Sequence, residues 1–71
     1  MRIIKKVFTW SEDRRKILKH ELRSSIECEY AGQEVQELQN KGFQKLYGNS
    51  YKAEVWSKYI NNTEYLVYIG E

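Results

Sequence analysis

Large apolar and aromatic side chains fall on both alternating sets of positions in the stretch Tyr51–Gly70. A strand buried on one side alternates apolar with polar residues; here neither set is polar throughout. Asn61-Asn62 interrupts the run, and asparagine tolerates the positive φ that a two-residue hairpin turn needs. With that pair at the tip, Ile60 lies opposite Thr63 and the register follows. One face then carries Glu54, Trp56, Lys58 and Ile60 against Thr63, Tyr65, Val67 and Ile69. The other carries Val55, Ser57 and Tyr59 against Glu64, Leu66 and Tyr68. The first face has more bulk and is expected to meet the core. The second is expected to look outward. A one-residue change in the turn would shift every pairing.

Toward the N-terminus, Arg2–Thr9 reads as a strand, with Ile3, Ile4, Val7 and Phe8 as β-formers around Lys5 and Lys6. Apolar groups on both of its faces make it either central in a sheet or sandwiched, and Lys5 and Lys6 point to one flank that reaches solvent. Ser11 then fits a helix N-cap, with Glu12 and Asp13 where the helix dipole favours negative charge. The pattern predicts a helix to about Ser24, with Ile17, Leu18 and Leu22 as a narrow apolar stripe that Ile26 extends. Arg14, Arg15, Lys16, Lys19, His20 and Arg23 would face water.

Residues 25–31 fit two periods. Ile26-Glu-Cys-Glu-Tyr30 alternates as a short strand does. Cys28, Ala31, Val35 and Leu38 are spaced as on one helix, although Gly32 inside it would cost about 1 kcal/mol relative to Ala. The reading adopted is a second helix after an irregular join. Its end is well marked: Gly42 suits the left-handed residue past the last turn, and Phe43 follows where it can meet Leu38. Gln44–Tyr47 forms a strand, Gly48-Asn49-Ser50 supplies turn chemistry, and Tyr51–Ile60 and Thr63–Ile69 complete a meander. The expected fold is α+β: an N-terminal strand, two helices, then a three-stranded antiparallel meander, with the helices on one sheet face. Residues 1–71 make a single domain.

A chain of 71 residues buries a modest share of its surface and usually needs a staple. The lone Cys28 cannot form an intrachain disulfide, and one His with one Cys does not make a zinc site. Two Trp, six Tyr and two Phe leave aromatic packing or self-association to supply stability. No run approaches the length of a membrane span, and Lys5 and Lys6 break the N-terminal apolar run, which argues against a secretory signal. A single thiol suits a reducing compartment, so a cytoplasmic location is expected. Frequent Lys, Asn, Ile, Tyr and Glu without Pro fit an AT-rich genome, such as that of a low-GC bacterium or its phages.

Charge is uneven. Residues 1–25 hold eight bases against three acids, residues 26–40 hold four Glu and no base, and residues 41–71 have a balance of +1. Such asymmetry can orient a partner. The basic set Lys5, Lys6, Arg14, Arg15, Lys16, Lys19 and Arg23 could contact phosphates, with nearby aromatics stacking on bases. Glu12, Asp13 and Glu21 lie among those bases, and Glu12 with Lys16 is an ordinary helical pair.

No nucleophile elbow, phosphate-binding glycine loop or paired metal ligands occur. His20 lacks a partner at catalytic spacing, and Cys28 reads as a small apolar group. We expect no enzyme, no catalytic residue, no cofactor, no metal and no small-molecule substrate. The expected function is a small binding or regulatory protein, of the kind encoded by phages or mobile elements. It would engage a protein partner, or a second copy as a homodimer, through Val55, Tyr59, Leu66 and Tyr68, flanked by Lys58 and Glu64. Nucleic-acid binding through the basic set is the alternative.

The segment from Glu34 to Tyr68, a helix, then Gly42-Phe43, then three strands, loosely resembles part of HicA-type RNA-cleaving toxins and double-stranded-RNA-binding-like domains. Those toxins place a catalytic His after the small residues of the first turn. Here that place reads Gly48-Asn49-Ser50-Tyr51, so no activity carries over.

Overall fold

A computed structural model describes residues 1–46 and 53–70. The chain runs β1 (Arg2–Trp10), β2 (Ile17–Glu27), α1 (Gly32–Asn40), β3 (Gln44–Leu46), β4 (Ala53–Ile60) and β5 (Thr63–Gly70). All strands join one antiparallel sheet in the order β2-β1-β5-β4-β3. The expected α+β arrangement of two helices on a three-stranded meander is therefore wrong. Among the described residues the molecule is mostly antiparallel sheet with one short helix.

The correction lies in residues 11–31. Instead of capping a helix, Ser11 closes the turn between β1 and β2. Its amide donates to the Lys16 carbonyl at 2.8 Å, and its carbonyl accepts from the Arg14 amide at 2.9 Å. The Asp13 carboxylate accepts from the Arg15 amide at 3.1 Å, and Ser11 Oγ accepts from the Lys16 amide at 3.2 Å. Short polar side chains that cap helices can equally hold turn amides, and here the turn wins. Arg14 sits at φ 59, a left-handed conformation that stops any helix.

The supposed stripe of Ile17, Leu18, Leu22 and Ile26 is part of β2. A spacing of four matches roughly one helical turn but also two full pleats of a strand. Tertiary pairing with β1 decides between them. The pairing slips twice, between Lys5 and Lys6 and between Thr9 and Trp10. These irregularities put Ile26 on the helix-bearing face opposite Ile3, and Leu22 on the outer face opposite Lys6. The β1–β2 ladder continues past the strand end, where the Cys28 amide donates to the Met1 carbonyl at 2.8 Å.

Helix α1 begins at Gly32, with Ala31 as its N-cap residue. Nine residues are too few to hold a helix in water on propensity alone. Its stability comes from Ala31 and Leu38 packing with Ile3, Trp56, Val67 and Ile69; Cys28, Val35 and Phe43 close the margin of that core. The helix ends as expected. Gly42 has φ 86, its amide donates to Gln39 O at 3.1 Å, and the Phe43 amide donates to Leu38 O at 3.0 Å, which is the Schellman arrangement.

The terminal hairpin also follows its expected register. Asn61 and Asn62 have φ of 48 and 61, and Ile60 pairs with Thr63, Trp56 with Val67 and Val55 with Tyr68. β1 is internal, bonded to β2 on one side and to β5 on the other. The expected Gly48-Asn49-Ser50 turn, and the expected strand positions Tyr47, Tyr51 and Lys52, lie outside the described residues.

Candidate binding surface on the outer sheet face

Side chains alternate across a sheet, so the pairing assigns each residue to a face. Ile3, Lys5, Val7, Trp56, Tyr65, Val67 and Ile69 share the face that carries α1. The outer face carries Ile4, Lys6, Phe8 and Trp10 from β1, with His20 and Leu22 beside them on β2. Glu64, Leu66 and Tyr68 of β5 and Val55, Ser57 and Tyr59 of β4 complete it. Among the described residues the only helix lies on the opposite face.

Contacts on this face join aromatic rings to polar and cationic groups. Phe8 and His20 stack with centroids 4.5 Å apart and planes within 4°. Lys6 Nζ stands 5.4 Å from the Tyr68 ring centre, and the Arg14 guanidinium 5.3 Å from that of Tyr59. Each is a cation over a ring face. Trp10 Nε1 donates to Glu64 Oε1 at 3.3 Å. Partial burial, then a hydrogen bond to the Glu64 carboxylate and its charge, push the Tyr59 phenol above its ordinary pKa, while Arg14 opposes the shift.

The structure places the six expected partner-binding residues unequally. Val55, Tyr59, Leu66, Tyr68 and Glu64 do share the outer face. Val55 and Leu66, however, are only 4 % and 8 % exposed, so they hold the sheet together rather than offer contacts. Tyr59 is 47 % exposed and is the accessible member. Lys58 is on the helix-bearing face, where its Nζ donates to the Lys41 carbonyl and stands 5.9 Å from the Phe43 ring centre. Phe8, Trp10, His20 and Leu22 were missed. Phe8 was legible as an even-numbered position of the expected strand Arg2–Thr9, Trp10 lies one residue beyond that expected end, and His20 and Leu22 were hidden by the helical reading of their segment.

The seven bases of the nucleic-acid alternative are divided. Lys5 is on the helix-bearing face, paired with Glu34 at 2.8 Å. Lys6 is on the outer face, and Arg14, Arg15 and Lys16 lie in the β1–β2 turn. Lys19 and Arg23 approach Glu21 at 3.9 and 3.1 Å.

No family model, curated protein or solved structure matches this chain. The loose likeness of residues 34–68 to RNA-cleaving toxins thus rests on element order alone.

Among the described residues no group of three or more His, Cys, Asp or Glu could hold a metal ion. No helix among them is long and apolar enough to cross a membrane. Cys28 is a free, half-buried thiol beside the core. A cleft of about 200 Å³ runs between α1 and the sheet, lined by Lys5, Val7, Glu34, Leu38, Phe43 and Tyr65 among others. It belongs to the opposite face and gathers no nucleophile with a base.

Proposed function

We propose that this protein is a non-enzymatic binding module that engages a protein partner through the outer face of its sheet. The observation that carries the reading is the set of rings and aliphatic groups left on that face by a fold whose helix covers the other side. Tyr59, Leu22 and Ile17 are exposed there, with Phe8, Trp10 and Tyr68 half-buried between them. Large, amphipathic aromatic groups of this kind suit protein interfaces. The division of the bases between two faces and a turn favours this reading over a phosphate track, which needs adjacent charges.

The test is affinity capture with the full chain, identification of what is retained, and titration of the recovered protein with variants. Tyr59→Ser and Leu22→Ser should each weaken binding by about tenfold, since exposed anchors of this size carry roughly 1–2 kcal/mol. Lys41→Ala, on the helix side, should leave binding unchanged. Binding indifferent to both outer-face variants would refute the proposal. So would binding only to RNA or DNA, with an affinity that falls steeply with salt.

A further inference from the structure

β2 is an edge strand of 11 residues. Among the described residues no strand pairs with the side of β2 that points away from β1, and such an edge is a template for another strand. Two apolar side chains stand exposed on this otherwise polar edge: Leu18 and Leu22 are 65 % and 59 % exposed. Between the two slips the pairing runs without interruption, Leu22 opposite Lys6, Glu21 opposite Val7, His20 opposite Phe8 and Lys19 opposite Thr9. The next residue is Leu18. Leu18 itself is passed over, because Trp10 pairs with Ile17, so the regular segment along the open edge is Lys19-His20-Glu21-Leu22, with Leu18 at the slip beside it.

That segment is complementary to itself when reversed. Laid antiparallel on a copy with His20 opposite His20, it sets Leu18 against Leu22, Lys19 against Glu21, and the same again on the other side of the axis. Residues directly opposite in an antiparallel pair share a face. The charged pairs would meet on the helix-bearing face, and Leu22 on the outer face would reach the slip at Leu18 of the other copy. We propose that β2 pairs with β2 of a second copy about a two-fold axis at His20, joining two five-stranded sheets into one.

Charge selects this register over its neighbours. With the axis at Glu21, that residue faces its own copy and Lys19 faces Arg23. With the axis at Lys19, lysine faces lysine. Like charges directly opposite are unfavourable. With the axis at Leu22, the pairing must cross the irregularity at Arg23, where the strand loses its alternation. Only the axis at His20 keeps opposite charges opposite within the regular segment. The inference is independent of the outer-face reading, because edge pairing leaves that face open and makes it continuous across both copies.

The test measures the self-association of the full chain by sedimentation equilibrium over a range of concentrations. Wild type should form a dimer. Lys19→Glu and Glu21→Lys each create two like-charged pairs across the axis and should each weaken the dimer by about tenfold or more. An equimolar mixture of the two variants should form a heterodimer, because Glu at 19 then faces Lys at 21, and the double variant should dimerise as wild type does. As a second measurement, His20→Cys in a Cys28→Ser background should cross-link to itself on mild oxidation, and Ser25→Cys in that background should not. A monomeric wild type at every concentration would overturn the proposal. So would a dimer unmoved by either charge reversal. Neither result touches binding of a separate partner through Tyr59 and Leu22.

Discussion

Phe8 and His20 face each other across neighbouring strands with their rings nearly parallel, 4.5 Å between centroids. The pair belongs to the outer face and does not depend on α1. It ties the turn-proximal half of β1 to that of β2, between the two slips in their pairing. Cross-strand ring pairs of this kind contribute on the order of 0.5–1 kcal/mol. His20→Ala should therefore lower the midpoint of thermal unfolding by about 2–6 °C at this chain length. A double-mutant cycle with Phe8→Ala, read by urea unfolding of dilute protein, should return a coupling energy of about 0.5 kcal/mol. Additive effects would show that the two rings only lie near each other.

What the sequence revealed and what it hid divide along local against non-local causes. Gly42-Phe43 and Asn61-Asn62 were legible because each encodes a backbone conformation by itself: a glycine at positive φ past a helix, and two asparagines able to turn a hairpin. The hairpin register, and with it the two faces of β4 and β5, followed from that turn. β2 was not legible. Ser11, Glu12 and Asp13 resemble a helix start, and Leu18, Leu22 and Ile26 recur at a spacing common to both periods. Only pairing with β1, a non-local interaction, resolves the ambiguity. The candidate surface suffered in proportion. Tyr59 and Tyr68 were found from the hairpin, whereas His20 and Leu22 were assigned to a helix that does not form.

Gly42 should be costlier to replace than Gly32. Its φ of 86 is unfavourable for any side chain, while a Cβ there would approach nothing nearer than Lys58 Nζ at 3.8 Å. The expected loss for Gly42→Ala is thus a backbone effect, about 1 kcal/mol, and Gly42→Asn should recover part of it. Gly32→Ala provides the contrast. There the added carbon meets the Tyr30 ring, but Tyr30 is exposed and can swing aside. Alanine also favours the helix, so this variant should be neutral or slightly more stable. Chemical denaturation of both variants checks the ordering.

Trp56 is buried in the core, and its indole Nε1 has no hydrogen-bond partner among the described residues. An unpaired buried donor costs free energy that the ring's apolar area must offset. Trp56→Phe removes the donor together with part of the area, and should cost no more than about 1–2 kcal/mol. Trp56→Ala leaves a cavity among Ile3, Leu38, Val67 and Ile69, and should cost about 3–5 kcal/mol, a large share of the stability of so small a domain. Comparable losses in the two variants would mean that Nε1 is paired after all.

Acid should loosen the β1–β2 hairpin at both of its ends. The hydrogen bond from Ser11, then that from the Arg15 amide, hold Asp13 below the usual carboxylate range. The hydrogen bond from the N-terminal ammonium, then its charge, do the same for Glu27, with Arg2 adding a smaller share. A folded-state pKa below the unfolded one means that the unfolded chain binds protons more readily. The stability from these groups is therefore full above the ordinary carboxylate range and is lost as pH falls through the depressed values. Both groups are solvent-exposed, so the effect is modest and should shrink with added salt. Asp13→Asn and Glu27→Gln should each be less stable than wild type at neutral pH, and the difference should close on acidification. Thermal midpoints measured from neutral to acid pH at low and high salt decide the matter; a gap constant across that range would mean that neither carboxylate supports the fold through its charge.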